Sequence, residues 1–353
     1  MRTLVLSILW LLCAACLPAA PADEIWKLYK QGDTAQAAAR GLEELKQQPE
    51  DIELRQVTGR ALVESRQFAA ALPHLEHVVR LDTRRSWQSA WALAYAGYAH
   101  FGLGEATKAA AALDASLRLH ATRNAETFAR QAQALLGFSA AFTNWIVLET
   151  ARFRFHFSPS VAAAATNRFA EQHEAACGQI NKFCEARLPK KIDYFVWNTS
   201  ADAERAGLGK LGFARPEMTL VHATWNQTVG HEMTHVLCWH GFHPAQTTAL
   251  INEGLAVFFD QTRRDRLATA QAAVRAAGLE SVSIVELWSD LRAKADTVTY
   301  PVAGAWIDCL HARGGADRLQ QLAREQTLDA ARRIYGGELE KWIEEFEHDL
   351  RKP

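Results

Sequence analysis

The chain lacks both a net charge and a basic run. Its 353 residues carry 39 Lys and Arg against 40 Asp and Glu, so the formal net charge is −1. Proteins that bind nucleic acid usually concentrate Lys and Arg in a patch or stripe, so this composition does not indicate nucleic-acid binding. The length is sufficient for two domains, each with a hydrophobic core of its own.

The chain also lacks an apolar run long enough to cross a bilayer. Residues 1–17 carry one charge, at Arg2, and are otherwise almost entirely apolar, but a spanning helix needs about 20 apolar residues. A short apolar run ahead of the small-residue pattern Ala20-Pro21-Ala22 predicts a secretory signal peptide over residues 1–22. We therefore expect an exported protein, periplasmic or secreted, with no membrane span after cleavage.

Two alternatives to signal cleavage concern the same residues. An uncleaved anchor is one, and lipid attachment at Cys16 is the other. Bacterial lipoprotein signals usually carry Leu where this chain has Cys13, so the sequence favours cleavage after Ala22 over lipidation.

Cysteine is scarce, and its spacing matches no metal-binding pattern. Signal cleavage would remove two of the six cysteines and leave Cys177, Cys184, Cys238 and Cys309. An exported protein can oxidise them, but the sequence does not choose among the three pairings or four free thiols. A bond from Cys177 to Cys184 is disfavoured on one straight helix, because seven residues rise about 10 Å.

The run His231-Glu232-Met233-Thr234-His235 places two histidines four residues apart. In an α-helix that spacing puts both imidazoles on one face, where they can bind the same metal ion. Glu232 lies roughly 100° around the helix, so its carboxylate can take a proton from water without being a ligand itself. The pentad therefore predicts two metal ligands and one general base.

A third ligand is expected on a second helix. The first helix should end near Gly241, and residues 245–260 have the composition of another helix. From His235 to the turn, and from the turn back to Glu253, the chain travels similar distances of roughly 8 to 10 Å. Glu253 thus returns to the level of the histidines, and Gly254 would let the two helices approach closely.

His231-Glu232-x-x-His235 together with Asn252-Glu253-Gly254-Leu255-Ala256 resembles the gluzincin superfamily of zinc metallopeptidases. In that superfamily a Glu on the helix after H-E-x-x-H is the third ligand. The resemblance implies a Zn²⁺ site with Glu232 as general base and the ligands His231, His235 and Glu253. The metzincin pattern fits poorly, since it needs Gly and His where this chain has Cys238 and Gly241.

Further candidates lie around the motif. His240 and His243 are rivals of Glu253 as the third ligand, although they fall at the expected helix end and turn. Related zinc peptidases use a Tyr or His from the later helical region as a donor to the oxyanion. Tyr300 is the best local match to that residue, and a Tyr at a core boundary is the alternative interpretation.

The sequence leaves open which groups orient the ligands. Asn252 is a candidate for a hydrogen bond to a ligand. Thermolysin-like enzymes have an acidic residue four positions after the ligand Glu. Here that position is Val257, and Asp260 follows three residues later.

Residues 23–142 contain a repeat of a turn followed by a helix start. The repeats begin at Gln31, Ser65 and Leu103, at intervals of 34 and 38 residues. This pattern resembles tetratricopeptide repeats, in which each unit is a pair of helices. The resemblance implies a solenoid that either binds a peptide or protein partner or only packs on the rest of the chain. Small residues stand at the close-packing positions: Gly59 and Gly97 in the first helix, and Ala37, Ala71 and Ala109 in the second.

Residues 145–353 change in character. Phe153, Phe155 and Phe157 alternate with polar residues, which is the period of a half-buried strand. His156 is expected on the solvent side of that strand. A long helix over 161–187 and a second strand over 191–197 are expected to follow.

A third strand is expected over 218–222, just before the motif. We expect it at an edge of the sheet, where an extended peptide can add as a further strand. The order of strands and helices also resembles the upper lobe of gluzincins. After Asp260 a helical lower lobe is expected, with helices at 262–277, 283–291, 300–313, 316–324, 328–335 and 338–351.

The predicted fold class is α+β: an N-terminal α-helical repeat solenoid, then a gluzincin-like zinc domain with a small sheet and a helical lower lobe. The predicted function is exported zinc-dependent hydrolysis of peptide bonds, with a peptide or protein as substrate. The alternative is an exported repeat adaptor protein whose zinc domain binds its partner without cleaving it. Glu232 favours the enzyme, because a purely structural site has no use for that carboxylate.

Overall fold

The computed structural model describes residues 21–352. Within them the fold is mixed, mostly helical, with one five-stranded sheet, which confirms the predicted α+β class. The predicted signal peptide lies outside the described residues, except for Pro21 and Ala22 at the start of the first helix. No helix between residues 21 and 352 is long and apolar enough to cross a membrane.

Within residues 21–352, seven α-helices precede the sheet. They are α1 Pro21–Lys30, α2 Thr34–Glu44, α3 Ile52–Glu64, α4 Phe68–Leu81, α5 Trp87–Gly102, α6 Ala106–Arg118 and α7 Arg123–Leu135. Each packs against the next, and α1, α3, α5 and α7 also contact one another in series. This arrangement agrees with pairs of helices in a repeat, and the curved solenoid itself stays a prediction.

Small residues allow these helices to pack closely. A Cβ atom on Gly59 would lie 2.7 Å from Cδ2 of Leu75, and one on Gly97 would lie 2.7 Å from Cγ of Leu113. The two glycines are 38 residues apart, and so are the two leucines. The same helix contact therefore recurs in successive repeats.

The remaining elements alternate strands with helices before becoming wholly helical. The strands are β1 Ile146–Glu149, β2 Phe153–Phe157, β3 Ile192–Trp197, β4 Phe213–Arg215 and β5 Leu220–Thr224. The helices are α8 Ala163–Cys184, α9 Ser200–Arg205, α10 His231–Phe242, α11 Ala249–Phe258, α12 Arg266–Ala276, α13 Ile284–Ser289, α14 Asp296–Arg324, α15 Leu328–Tyr335 and α16 Glu338–Asp349. The expected helices 300–313 and 316–324 join as α14, which is interrupted at Gly315 (φ 80°).

The sheet has the strand order β1-β2-β3-β5-β4. β3 is parallel to both of its neighbours, and the two outer pairs are antiparallel. The expectation that 218–222 forms an edge strand is wrong, because β5 pairs with β3 on one side and β4 on the other. The two edge strands are β1 and β4, and the three residues of β4, the edge next to β5, are too few to show an alternating pattern.

Both faces of the sheet are covered. Tyr194 and Val196 of β3 face a core shared with α8 and α10, whereas Phe195 and Trp197 face a core shared with the N-terminal helices. The second core crosses the domain boundary predicted between residues 142 and 145. His156 is consequently not a solvent-side residue, since its ring stacks on Phe195 with centroids 4.2 Å apart.

His222 of β5 joins the sheet to the N-terminal helices. Nε1 of Trp197 donates to its Nδ1 at 3.0 Å, and its Nε2 donates to the carbonyl oxygen of Leu135 at 2.8 Å. One neutral tautomer satisfies both hydrogen bonds. The side chain is fully buried, and burial lowers the pKa of His222 to about 3.

We expect acid to weaken this junction. His222 has an ordinary pKa of 6.5 when unfolded and about 3 when folded. As the pH falls between these values, the unfolded chain binds a proton that the folded chain does not, so the free energy of unfolding falls. Thermal melts between about pH 4 and 7 should show a smaller pH dependence for His222→Gln than for the native chain.

The buried His173, whose pKa is lowered to about 4, acts in the same direction. It is present in both chains and serves as the internal reference. An unchanged pH dependence in the His222 variant would contradict the assignment.

Candidate metal centre

Helix α10 starts at His231 because of the glycine before it. Gly230 has a φ of 104°, and a Cβ atom there would lie 2.8 Å from the carbonyl oxygen of Phe259. Only glycine tolerates both the angle and the contact. Met233 and Leu237 of α10 are buried in the core, so α10 is anchored on one side and presents its histidines toward α11.

Helix α11 is placed by a buried glutamine. The backbone N–H of Thr248 donates to Oε1 of Gln326, and Oγ1 of Thr248 donates to the carbonyl oxygen of Gln326, both at 3.0 Å. Nε1 of Trp288 donates to the same carbonyl oxygen at 2.8 Å. The start of α11 is thereby held against the C-terminal helices, which sets the position of Glu253.

Gly254 allows α11 to approach another helix closely, but that helix is α14 and not α10 as expected. A Cβ atom on Gly254 would lie 2.8 Å from the carbonyl oxygen of Ala303 on α14. On α14, a Cβ atom at Gly304 would overlap Val257 of α11. The expected approach of α11 to α10 at Gly254 is therefore wrong, and its actual partner is α14, the helix that carries Tyr300.

Three side chains converge between these helices. Oε2 of Glu253 lies 3.4 Å from Nε2 of His231 and 3.6 Å from Nε2 of His235. All three donor atoms lie within 4.8 Å of one another. A tetrahedral metal ion with bonds of about 2.1 Å separates its ligand atoms by about 3.4 Å. The three residues could therefore hold one metal ion.

Glu253 and His235 shift each other's pKa values. Burial alone would raise the pKa of Glu253, but hydrogen bonds and charge from His231 and His235 hold it at about 2. Glu253 is thus an anion. Burial alone would lower the pKa of His235, and the adjacent Glu253 raises it instead.

The second nitrogen of His235 is unusual. Its Nδ1 is buried and has no hydrogen-bond partner of good geometry within residues 21–352. Asn252 nevertheless lies close enough to contribute to the raised pKa of His235. Asn252 is therefore the neighbour best placed to orient this imidazole, as its position beside Glu253 suggests.

Glu232 lies next to the three donors and outside them. It is 3% exposed, and its Oε1 accepts a hydrogen bond from Nε2 of Gln227 at 3.2 Å. Burial raises the pKa of Glu232, although the nearby His235 and His231 act in the opposite direction. A carboxylate whose pKa is raised by burial has the property of a general base. No motif pointed to Gln227, because its contact depends on the turn between β5 and α10.

Tyr300 comes from the first turns of α14. Its ring lies nearly parallel to that of His231, with centroids 6.2 Å apart and an angle of 15°. Burial and the charge of Glu253 raise the pKa of Tyr300 to about 12, so its hydroxyl stays protonated and can donate a hydrogen bond. Both rings line a cleft of about 300 Å³.

The two rival ligands lie elsewhere. Nε2 of His240 bonds to the carbonyl oxygen of Pro216 at 2.9 Å. His243 is exposed and ends α10 with a φ of 46°. Within residues 21–352, neither is grouped with the other metal-ligating side chains.

Comparisons with protein-family models, curated proteins and solved structures found no match to this chain. The likeness to gluzincins therefore rests on the motif residues and their geometry alone.

Loss of Glu253 should weaken metal binding as strongly as loss of His235. Each variant removes one of three ligands, so we expect Glu253→Ala and His235→Ala to reduce metal affinity by roughly 10²-fold or more. Elemental analysis and a competitive chelator titration would measure it.

The matched control is His243→Asn, since Asn tolerates the positive φ at that position. This control should keep native metal affinity. A fully occupied Glu253→Ala protein would remove Glu253 from the ligand set.

Proposed function

We propose that this protein is an exported zinc-dependent peptidase of the gluzincin type. The observation that carries the proposal is the spacing of the three donor atoms, with the buried Glu232 beside them. Structural zinc sites usually have four protein ligands, whereas catalytic sites have three and leave one position open. The pairing of three ligands with an adjacent carboxylate supports hydrolysis.

Zinc is the metal that suits this donor set best. Two imidazoles and one carboxylate form the ligand set of several zinc hydrolases, and imidazole is a preferred zinc ligand. A zinc ion held by His231, His235 and Glu253 would lower the pKa of a bound water toward 7 and would polarise a carbonyl group.

The protein's own groups handle the protons. Glu232 accepts a proton from the attacking water and passes it to the leaving amine. Gln227 occupies Oε1 of Glu232 with a hydrogen bond, so Oε2 is the oxygen available for the proton. Tyr300, protonated and beside His231, donates a hydrogen bond to the substrate oxygen as negative charge develops there.

Export and the finer architecture belong to the same proposal. Residues 1–22 act as the signal peptide, the helices up to α7 form a repeat solenoid, and the sheet and later helices form the two lobes around the cleft. Peptides or proteins outside the cytosol are the substrates.

A second function concerns the N-terminal helices. A hollow of about 600 Å³ is lined by Trp26 and Lys27 of α1, Glu53 of α3 and Trp87 of α5. Trp87 is 38% exposed there. An exposed Trp in a mixed-charge hollow is typical of a surface that binds a partner. The chain would then be an exported adaptor whose zinc domain binds without cleaving.

Glu232→Gln separates the two functions. The change keeps the shape of the side chain and removes the base, so zinc content and melting temperature should change little. Hydrolysis of a mixed peptide library should fall by roughly 10²-fold or more. Mass spectrometry of the peptide products would measure cleavage, and elemental analysis would measure zinc.

Glu286→Gln is the matched control, because Glu286 is exposed on α13 and belongs neither to the three donors nor to the residues that line the cleft. It should leave hydrolysis unchanged. Equal rates for the native chain and Glu232→Gln would reject the assigned base. A native protein that cleaves no peptide and still binds a partner through residues 23–142 would favour the adaptor.

A further inference from the structure

The cleft beside the metal donors has a basic wall. Residues 260–266, which join α11 to α12, carry three arginines, and two of them, Arg264 and Arg266, line the cleft with His231 and Tyr300. The same cleft is lined by Gln227, whose Nε2 donates a hydrogen bond to Glu232.

The two arginines that line the cleft differ in their hydrogen bonds and ion pairs. Arg266 is paired with Asp260 at 3.3 Å and donates to the carbonyl oxygen of Phe258 at 2.6 Å. Arg264 is exposed and has no hydrogen bond or ion pair with any residue between 21 and 352. The guanidinium of Arg264 is therefore available to a ligand, and that of Arg266 is not.

A second hollow continues from the first. It measures about 530 Å³, shares Thr228 and Thr262 with the cleft, and is lined by Arg263. Arg263 also has no side-chain partner among the described residues. Among the described residues that line the two hollows, the one carboxylate is Asp260 in the first hollow, and Arg266 already pairs with it. Together the hollows present two uncompensated positive charges.

We propose that this site takes peptides with acidic side chains next to the reacting bond, with Arg264 binding the first carboxylate and Arg263 a second. Guanidinium and carboxylate form two parallel hydrogen bonds, whereas a basic side chain would be repelled. The cleavage part rests on the proposed function, and the binding part does not.

The test measures binding in a variant whose turnover is expected to be strongly slowed. Zinc-loaded Glu232→Gln is titrated with fluorescein-labelled Ala/Ser peptides that carry two adjacent Glu, Gln or Lys residues. We expect the Glu peptide to bind most tightly and the Lys peptide most weakly, with steps of roughly 5-fold, as for exposed ion pairs. Adding Arg264→Glu should reverse the order.

The matched control is Arg130→Glu, which makes the same charge reversal on an exposed residue of α7. It should preserve the order. Equal binding of the Glu and Gln peptides, or an order unaffected by Arg264→Glu, would overturn the proposal.

Cleavage of the same peptides by the native chain is measured in parallel. Cleavage without a preference for Glu would reject the acidic specificity and keep the peptidase. A preference for Glu in binding without any cleavage would keep the site and reject the peptidase.

An independent observation concerns two cysteines. Cys184 ends α8 and Cys238 lies on α10, and their buried sulfur atoms are 3.6 Å apart. Any Cβ atom on Gly241 would overlap the carbonyl oxygen of Cys184, so the two helices are in direct contact here. A disulfide needs about 2.05 Å between sulfurs, a shift of only about 1.5 Å.

We infer that Cys184 and Cys238 form a disulfide when the chain folds in an oxidising compartment. The thiolate of one cysteine attacks an external disulfide, such as oxidised glutathione, forming a mixed disulfide and releasing one external thiol; the second cysteine thiolate then attacks the protein sulfur of the mixed disulfide and releases the other external thiol. The two thiols lose two protons and two electrons, and the external disulfide becomes two thiols. The bond would tie α10, three residues after His235, to α8.

Thiol counting tests this inference. The full chain, secreted into an oxidising compartment, is denatured without reductant and alkylated. We expect two modified residues, Cys177 and Cys309, a Cys184–Cys238 peptide on mapping, and an intact mass about 2 Da below that of the reduced chain starting at Asp23. Reduction should lower the melting temperature by roughly 10 °C.

The matched control is Cys184→Ser with Cys238→Ser, whose melting temperature should not respond to reductant. Alkylation of all four cysteines in the secreted native chain, or mapping of a different pair, would overturn the inference.

Discussion

The candidate centre depends on the close packing of α11 against α14. Gly254 and Gly304 lack the side chains that would separate these helices. The resulting contact carries Glu253 on one helix and Tyr300 on the other toward the histidines of α10. A larger residue at either glycine would move one of these groups relative to the others. Metal ligation needs donor positions accurate to a few tenths of an ångström, so this helix contact is the constraint on which the arrangement depends.

The sheet gives α10 its second support. Its central strand, β3, is buried at every residue because helices cover both faces. On one face lie α8 and α10, and on the other lie the N-terminal helices, joined through His222 and Leu135. The turn between α3 and α4 also reaches α10 directly, since the guanidinium of Arg66 lies 4.1 Å from the ring of Trp239. The N-terminal helices are therefore part of the scaffold of the centre.

Two buried carboxylates lie near the centre, and their surroundings shift their pKa values differently. Glu253 and Glu232 are carboxylates in close proximity, yet their pKa values are shifted in opposite directions. The histidines stabilise the anion at Glu253, while burial dominates at Glu232. Such a division is compatible with the two roles proposed for these carboxylates, ligand and base. The unpaired arginines of residues 260–266 lie outside this buried group, where they can meet a ligand.

Local patterns in the sequence were enough to predict several elements. The alternation of Phe153, Phe155 and Phe157 predicted β2, and the spacing of His231 and His235 predicted the shared face of α10. Helical rise was enough to bring Glu253 to their level. Each of these predictions uses residues within one element or one short connection. The tertiary structure alone decided that β5 is an interior strand, that Gly254 packs on α14, and that Gln326 and Gln227 bond to Thr248 and Glu232. These contacts join residues brought together by folding, and local periodicity carries no information about which distant surface will meet a given side chain.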